Sequence, residues 1–314
     1  MSLKSFILGG SMIAAATAAG TIADARAAHA DQLNAATILQ DFNAVIYGNA
    51  STQSDIEGAA VIGGNFSGAT LYNNPTVAQP AGFGALTVFG STSGNSINID
   101  HGGDAYVGGT KGAGINFNGG GQYIAAPGAT IAAFETPLDA LSQELSTLAA
   151  TATLPATGNN EELIATPGAN GIAVFDITAA ELDAIPSYQI DLDGASTVIF
   201  NVSGSTVDFS ANDESGTTGA DNIIWNFYDA TSVTLATQIA GTVLAPNAAV
   251  TNDNQIDGTL VAQSWTGNGE LHDYPFDGNL PSTPVPEPGS LALLGFAVAA
   301  LLVLRRTPSR TARR

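Results

Sequence analysis

The 314-residue chain contains no cysteine, so neither a disulfide nor a thiolate zinc site can hold it together. Basic residues are scarce: there are eight, and only Lys111 lies between Asp31 and Pro286. Aromatic residues make up only 7% of the chain. The fold must therefore depend on the burial of small apolar side chains and on hydrogen bonds.

The scarcity of basic residues leaves the central part of the chain strongly acidic. Between Asp31 and Pro286 there are 26 acidic residues against one basic residue, a formal charge of −25. Nucleic acid is excluded as a partner, because its binding requires Lys and Arg to neutralise phosphates. The same charge repels anionic lipid and acidic polysaccharide, and it keeps the protein soluble.

The N-terminus has the order of a secretory signal peptide. Lys4 precedes an apolar stretch of small residues from Phe6 to Ile22, and Ala28-His29-Ala30 provides a small-x-small cleavage site. We therefore predict a signal peptide over residues 1–30. An uncleaved anchor is the alternative, with Asp24 and Arg26 against it.

The C-terminus has the order of a membrane-anchoring tail. A Pro-rich linker over 282–290 precedes an apolar run over 291–304 and a basic tail over 305–314. We predict that the run crosses the membrane as a helix and that the basic end stays in the cytoplasm. A buried C-terminal helix is the alternative.

This tail resembles the PEP-CTERM sorting signal of Gram-negative bacteria. The resemblance is carried by these residues: Val285, Pro286, Glu287, Pro288, Arg305 and Arg306. It implies an exosortase-type sorting enzyme as a partner. It also implies transit through the inner membrane, followed by a place in the cell envelope, on the surface or in the extracellular matrix.

Short apolar runs bounded by Gly, Asn and Asp predict an all-β fold between the two ends. Ile239–Ala245 recurs as Ile256–Ala262, 17 residues later, and a weaker copy begins at Ile56. A repeat of this size predicts stacked coils of a β-solenoid, with Gly241 and Gly258 at tight corners. A β-sandwich is the alternative fold.

Two helices are expected to flank the strands. Thr136 as N-cap and Pro137 at the first helical position predict the start of a long helix, whose apolar stripe comprises Leu138, Leu141, Leu145 and Leu148. A capping box, Thr178-Ala179-Ala180-Glu181, predicts a second, short helix that ends before Pro186.

Residues 31–281 resemble the ectodomain of the choice-of-anchor A family of bacterial surface proteins. The resemblance rests on the order and spacing of short segments: Phe42–Gly48, Ser54–Gly58, Ile62–Asn65, Leu244–Ala248, Ile256–Gly258, Gly269–His272 and Pro275-Phe276. It implies an adhesive, β-solenoid-like ectodomain without established catalytic residues.

Candidate metal ligands are few. Oxygen-rich turns make calcium possible at Asp191 and Asp193 and at Asp253 and Asp257, although Asp also favours turns without any ion. Two further groups have zinc-ligand residue types without a recognised spacing: Asp100, His101 and Asp104, and Glu270, His272 and Asp273.

We therefore expect an exported surface or matrix protein that binds polysaccharide or other surface proteins without catalysis. One alternative is a polysaccharide-degrading hydrolase, since glycoside hydrolysis needs only two suitably spaced carboxylates. A second is an ice-binding protein with a flat Thr-rich face, although regular Thr-x-Thr ladders are missing from the sequence.

Overall fold

The computed structural model describes residues 33–68, 70–73, 82–155 and 158–281. The segments predicted at the two ends lie outside these ranges: the signal peptide 1–30, the linker 282–290, the membrane segment 291–304 and the basic tail 305–314. Within the described ranges, no helix combines the length and the apolar character that a membrane span requires.

The described residues form short strands with a few helices between them. The helices are α1 (Ala35–Asp41), α2 (Ala132–Ser146), α3 (Ala179–Asp183) and a 3-10 turn (Ala220–Asn222). The strands before α2 are β1 (Ala44–Ile46), β2 (Ala50–Thr52), β3 (Ala60–Ile62), β4 (Phe66–Ser67), β5 (Thr70–Leu71), β6 (Leu86–Val88), β7 (Thr92–Ser93), β8 (Ile97–Asp100), β9 (Ala105–Val107), β10 (Ile115–Asn118) and β11 (Tyr123–Ala125).

The strands after α2 are on average longer. They are β12 (Glu161–Ile164), β13 (Ile172–Thr178), β14 (Ser187–Asp191), β15 (Thr197–Ser203), β16 (Thr206–Phe209), β17 (Asn212–Asp213), β18 (Ile223–Asn226), β19 (Ser232–Leu235), β20 (Ile239–Ala240), β21 (Thr242–Asn252), β22 (Ile256–Asp257), β23 (Leu260–Gly267) and β24 (Leu271–His272).

Every strand pair among these elements is parallel, and each coil of the chain adds a strand to three faces of a β-solenoid. The helix face has the order β11-β9-β6-β3-β1-β23-β21-β18-β15-β13. The second face contains β7, β4, β2, the ends of β23 and β21, β19 and β16. The remaining strands form the third face.

The solenoid prediction is confirmed, and the β-sandwich alternative is wrong because a sandwich needs antiparallel sheets.

The chain builds the solenoid as two stacks of coils that meet in the middle. The first stack begins in the middle with β1 and extends to one end at β11. The chain then passes through α2 and resumes at the opposite end, where β13 is the outermost strand of the helix face. The later coils return towards the middle until β23 pairs with β1. We call this pairing of the first and last coils the seam; at its start Ala44 lies beside Leu260.

The 17-residue echo corresponds to two neighbouring coils. Ile239 lies beside Ile256, and Val243 beside Leu260. Gly241 and Gly258 both have positive φ, and a Cβ on Gly258 would lie 2.3 Å from the carbonyl oxygen of Gly241, so the predicted tight corners are confirmed.

The coil length is not constant. A coil takes 16 residues from Ala44 to Ala60 and 26 from Ala60 to Leu86, which explains why only one clear echo is visible in the sequence. The weaker copy at Ile56 stacks between Leu71 and Leu271, at the seam.

Two apolar layers stabilise the fold. Inside the solenoid, Phe175, Phe200 and Trp225 occupy the same register position on successive coils, and their rings stack at centroid distances of 4.8 and 4.0 Å. Outside it, the alternate residues of the helix face are also apolar, and they pack against α1 and α2. The helix face is therefore buried on both sides.

The long helix begins earlier than predicted. It starts at Ala132, so Thr136 is not its N-cap and Pro137 lies inside it. Phe134 explains the extra turn, because its buried ring packs edge-on against Phe42 and Phe83 at 5.2 and 5.0 Å. This burial outweighs the one backbone hydrogen bond that Pro137 cannot donate.

The apolar stripe of α2 is confirmed as far as Leu145. Leu138, Leu141 and Leu145 are buried, whereas Leu148 lies past the helix end and is half-buried. Asn201 and Asn226 on the helix face donate hydrogen bonds to the carbonyl oxygens of Leu145 and Ser142, at 2.7 and 2.9 Å. These bonds fix the C-terminal half of α2.

The short helix α3 is confirmed with its capping box between Thr178 and Glu181. Helix α1 was not predicted. It is capped by Asn34 and buries only Ile38 and Leu39, so its apolar pattern is too short to stand out in the sequence.

We expect the substitution Asn43→Ala to destabilise the protein by about 3 kcal/mol, because it leaves buried backbone groups unpaired. The buried Asn43 side chain donates to the carbonyl oxygens of Gly258 and His272 across the seam and accepts from the N–H of Gly58. Urea denaturation measures the change. Asn116→Ala, on the exposed third face, is the control, and an equal loss in both variants would contradict the role of the seam.

Candidate functional site

The second face presents two parallel rows of small polar side chains. The first row contains Thr206, Ser232, Ala249, Ser264, Asn49, Asn65, Ser91 and Thr110. The second row contains Asp208, Thr234, Thr251, Thr266, Ser51, Ser67 and Ser93. Seven coils thus contribute one residue to each row, and an eighth contributes Thr110 to the first row alone.

The usual pattern of the strands on this face is polar, apolar, polar, with Ala249 in place of the first polar residue on β21 and the buried Thr92 in place of the apolar residue on β7. Between the two rows lies a buried residue of each coil, for example Val207, Val233, Val250, Trp265 and Phe66. Successive side chains of a strand point to opposite sides, so burial of these residues directs both rows outward. The two rows are the exposed or half-buried positions of the face.

The parallel ladder sets the spacing of this polar surface. Neighbouring coils lie about 4.8 Å apart, and the two rows are about 6.7 Å apart along a strand. No register shift interrupts the pairing from Asp208 through Thr266 to Ser93. The result is a regular lattice of hydroxyl and amide groups.

Asparagine side chains fix the corner beside the first row. The Oδ1 atom of Asn49 accepts from the N–H of Asn65 at 2.8 Å, and Oδ1 of Asn65 accepts from the N–H of Ser91 at 2.9 Å. Ser91 Oγ in turn accepts from the N–H of Thr110 at 2.9 Å. These side chains replace backbone acceptors at the corner and hold successive coils in register.

The second face is almost free of charge. Its two rows contain one carboxylate, Asp208, at one end, and the exposed Lys111 follows Thr110 at the other end. The acids of the protein lie elsewhere: residues 135–229 contain fifteen, whereas residues 58–134 contain only Asp100 and Asp104. Because the protein is so acidic, the near neutrality of this surface depends on the scarcity of carboxylates in the two rows.

This surface was not predicted from the sequence. Regular Thr-x-Thr ladders are absent from it, and the structure builds equivalent rows from Ser-x-Thr, Asn-x-Ser and Thr-x-Asp triplets at unequal intervals. The available signal is a polar-apolar-polar triplet in most coils, which is recognisable only once the coils are aligned.

An apolar groove of about 820 Å³ opens away from the second face, beside α1 and α2. Phe83, Leu141, Leu33 and Leu280 are among its lining residues, so both ends of the described chain reach it. Most of its lining is aliphatic, and it brings together no set of polar groups for catalysis.

The predicted calcium ligands do not come together in one site. Asp191 accepts a hydrogen bond from the N–H of Asp193 at 3.0 Å, which forms a turn at the end of β14. Asp253 accepts from Asn268 at 3.1 Å, and the buried Asp257 is bonded to His272 and Gln238. Within the described ranges no group of three His, Asp or Glu residues is placed to hold a metal. Calcium binding stays a prediction.

The first predicted zinc cluster is dispersed among separate partners. Asp100 accepts from Asn118, Asp104 accepts from the N–H of Gln122, and His101 Nδ1 lies 2.9 Å from the carbonyl oxygen of Tyr72.

The second predicted cluster forms a charged contact at the seam. His272 Nδ1 lies 2.5 Å from Oδ1 of the buried Asp257, and Nε2 lies 3.0 Å from Oε2 of Glu270. Burial by itself lowers the pKa of His272, but the hydrogen bonds to Glu270 and Asp257 and the charges of Asp257 and Glu57 outweigh it, so the pKa is raised above 6.5. The imidazolium thus compensates the buried carboxylate.

Comparisons with known families match two parts of the chain. Residues 35–273 match the family described as a "Putative Ice-binding-like adhesive domain". Residues 284–306 match the PEP-CTERM protein-sorting motif, which confirms that resemblance of the tail. Neither match is to the choice-of-anchor A family. A search among curated proteins gives no match.

Solved structures with a similar arrangement include three ice-binding proteins. The protein of the Antarctic ascomycete Antarctomyces psychrotrophicus is 15% identical with a TM-score of 0.32, over 74% of this chain and 95% of that one. The protein of an Antarctic Flavobacteriaceae bacterium is 16% identical with a TM-score of 0.35, over 74% and 65%. One from an Antarctic biological consortium is 17% identical with a TM-score of 0.29, over 75% and 87%.

The raised pKa of His272 predicts a loss of stability as the pH rises. Below the ordinary value of 6.5 the contact contributes fully, and its contribution disappears as the pH rises through the raised pKa of the folded state. The difference in urea midpoint between the native protein and His272→Gln should therefore be largest at acid pH and shrink at alkaline pH.

The control is Asn116→Ala on the exposed third face, because it removes no ionisable group. Its midpoint difference from the native protein should be the same at each pH. A pH-independent difference for His272→Gln as well would contradict the assignment.

Proposed function

Because the chain belongs to the family of ice-binding-like adhesive domains, we propose that it is an exported, non-catalytic adhesin of a Gram-negative cell surface or matrix. In this proposal the second face is the binding surface, and its ligand is an extended, neutral polysaccharide. The observation that carries the proposal is the polar lattice, nearly free of charge, in a chain that is acidic elsewhere.

The geometry of the second face supports binding over a large area. Hydroxyl and amide groups repeat about every 4.8 Å along two rows, so a polymer with a regular repeat meets many equivalent donors and acceptors. Each contact replaces a hydrogen bond to water by one to a polymer hydroxyl, so it contributes little to the binding free energy by itself. Binding strength then comes from the number of coils engaged, which suits adhesion.

The charge distribution favours a neutral polymer over an acidic polymer as the ligand. Uronate-rich polymers are repelled by the carboxylates of residues 135–229, and the basic residue of the face, Lys111, lies at the end of the face away from them. A surface protein with a flat, uncharged polar patch is the other partner class that the same face accommodates.

The proposal does not include catalysis. A glycoside hydrolase needs two carboxylates flanking one bond, and the two rows contain only Asp208. The family match to an adhesive domain supports the same conclusion. The hydrolase alternative would need a carboxylate pair outside the second face.

Ice is the second candidate ligand. The observation in its favour is the flat, regular array of Thr and Ser hydroxyls, of which Thr234, Thr251 and Thr266 form the central run. Such an array presents hydroxyls to a crystal lattice as readily as to a polymer. It replaces the regular Thr-x-Thr ladder that the sequence lacks.

The PEP-CTERM motif supports the proposed location. In our proposal an exosortase-type enzyme reads residues 284–306 after export and transit through the inner membrane. The resemblance to choice-of-anchor A proteins, which combine one ectodomain with different anchors, fits the same route.

We predict that Ser51→Glu combined with Thr266→Glu weakens retention on a neutral polysaccharide at least about tenfold, because charged groups hold water that the polymer must displace. The two residues are exposed neighbours across the seam. Affinity electrophoresis through neutral-polysaccharide gels measures retention. The control, Asn98→Glu with Asn116→Glu, places two neighbouring charges on the third face.

The same variants separate the two ligands. Thermal hysteresis that the second-face variant abolishes, without retention on any polymer, would replace polysaccharide by ice as the ligand. Equal retention of both variants and the native protein would contradict binding at the second face.

Deletion of residues 285–314 should release the protein into the medium, because it removes the sorting motif together with the predicted membrane segment. Immunoblots of cell and medium fractions measure the change. Arg310→Ala, outside the matched motif, is the control. An unchanged cell-bound fraction after the deletion would contradict the sorting role.

A further inference from the structure

A small polar pocket lies where the helix face meets the second face, at the C-terminal end of α2. Its volume is about 250 Å³. Its polar lining residues come from α2, from the ends of β13 and β15, and from the corner after β18: Ser146, Asp176, Thr178, Asn201, Ser203 and Tyr228. The size suits a single sugar ring rather than a polymer.

The inner wall of the pocket is rigid. Asn201 is buried, and its Nδ2 donates to the carbonyl oxygen of Leu145 at 2.7 Å and to Oδ1 of Asp176 at 3.3 Å. Its Oδ1 accepts from Nδ2 of Asn226 at 2.9 Å, and that side chain also donates to Ser142. This ladder holds Asp176 and the end of α2 at a fixed separation, so the pocket is formed before any ligand arrives.

The mouth of the pocket offers hydroxyl groups and one aromatic ring. Ser146, Thr178 and Ser203 are at least partly exposed, as is Tyr228. The three hydroxyls donate to the Gln143 carbonyl oxygen, to Oε2 of Glu181 and to the Ile177 carbonyl oxygen, in that order, so they face a ligand as acceptors. Acceptors suit the O–H and N–H donors of a sugar. The tyrosine ring adds an apolar face for the C–H groups of the ring and attracts a nearby cation.

The pocket has a negative electrostatic potential. The last turn of α2 carries the negative end of the helix dipole, and Asp176 is exposed beside it. Asp229 lies close by, since its Oδ1 accepts from the N–H of Gly204, the residue after Ser203. No basic residue lies between Lys111 and Arg305 in the sequence to offset these charges.

We infer that this pocket binds one pyranose ring of a glycan, and that an amino sugar binds best, a neutral hexose less well and a uronic acid least. The ammonium group of the amino sugar pairs with Asp176 and lies near the ring of Tyr228. The inference rests on the proposed function only for the choice of a glycan as ligand. The site itself is separate from the two rows and binds a single sugar ring.

The pocket lies beside one end of the first row. Ser203 and Gly204 lead into Ser205 and Thr206, where that row begins, and Asn247 of the adjoining coil donates to the carbonyl oxygen of Tyr228 at 3.4 Å. A polymer lying along the rows therefore places a terminal or branching sugar within reach of the pocket.

Saturation-transfer NMR on the full-length chain tests the inference. The probes are the methyl glycosides of glucosamine, glucose and glucuronic acid. We expect the glucosaminide to bind with a dissociation constant of about 1 mM, the range for one small ring, and the glucuronide not to bind. Absence of saturation transfer to the glucosaminide, or an equal response from the glucuronide, would overturn the assignment.

Two variants locate the binding. Tyr228→Ala should raise the dissociation constant of the glucosaminide at least tenfold. The isosteric change Asp176→Asn, at an exposed position that the fold tolerates, should raise it similarly but leave the glucoside nearly unchanged. Tyr123→Ala is the matched control, because Tyr123 is also partly exposed but lies at the opposite end of the solenoid. Equal affinities of all three variants would overturn the inference.

The second-face variant separates this site from the proposed function. Ser51→Glu with Thr266→Glu should leave the glucosaminide affinity unchanged even where it removes polymer retention. Polymer retention by the native protein without glucosaminide binding would contradict the pocket alone, and glucosaminide binding without polymer retention would contradict the proposed function alone.

Discussion

Pairing between β1 and β23 is the interaction on which the rest of the structure depends. It joins Ala44 to Leu260, 216 residues apart, and makes one solenoid from two stacks of coils. Without it the second face would be two short patches, because Ser51 and Thr266 would not be neighbours. Helix α2 supports the pairing, since it packs on coils from both halves of the chain.

Buried amides take the place of the disulfides that this cysteine-free chain lacks. Asn43 crosses the seam, Asn201 and Asn226 fix α2, and Asn252 bonds to the carbonyl oxygens of Asn254 and Gly269 and to the indole of Trp265. An uncharged amide is far less costly to bury than a carboxylate. Most of the acids can therefore stay at the surface, where they maintain solubility, and the second face carries only Asp208 in its two rows.

Local patterns predicted the elements whose causes are local. The capping box at Thr178 gave α3, and the echo at Ile239 and Ile256 gave the parallel stacking of coils. The start of α2 was wrong because Phe134 is held by Phe42 and Phe83, which are distant in sequence. Tertiary packing decided that boundary against the preference of Pro137 for the first turn.

The sequence by itself determined the acidic charge, the PEP-CTERM motif near the C-terminal end and the all-β, coil-by-coil character of the body, because composition and short-range order set these properties. Only the tertiary structure decided which residues form the candidate sites. Ser51 becomes a neighbour of Thr266, and Tyr228 of Asp176, through backbone register between coils of unequal length. That register depends on all the hydrogen bonds between coils together, so no local spacing along the chain reveals it.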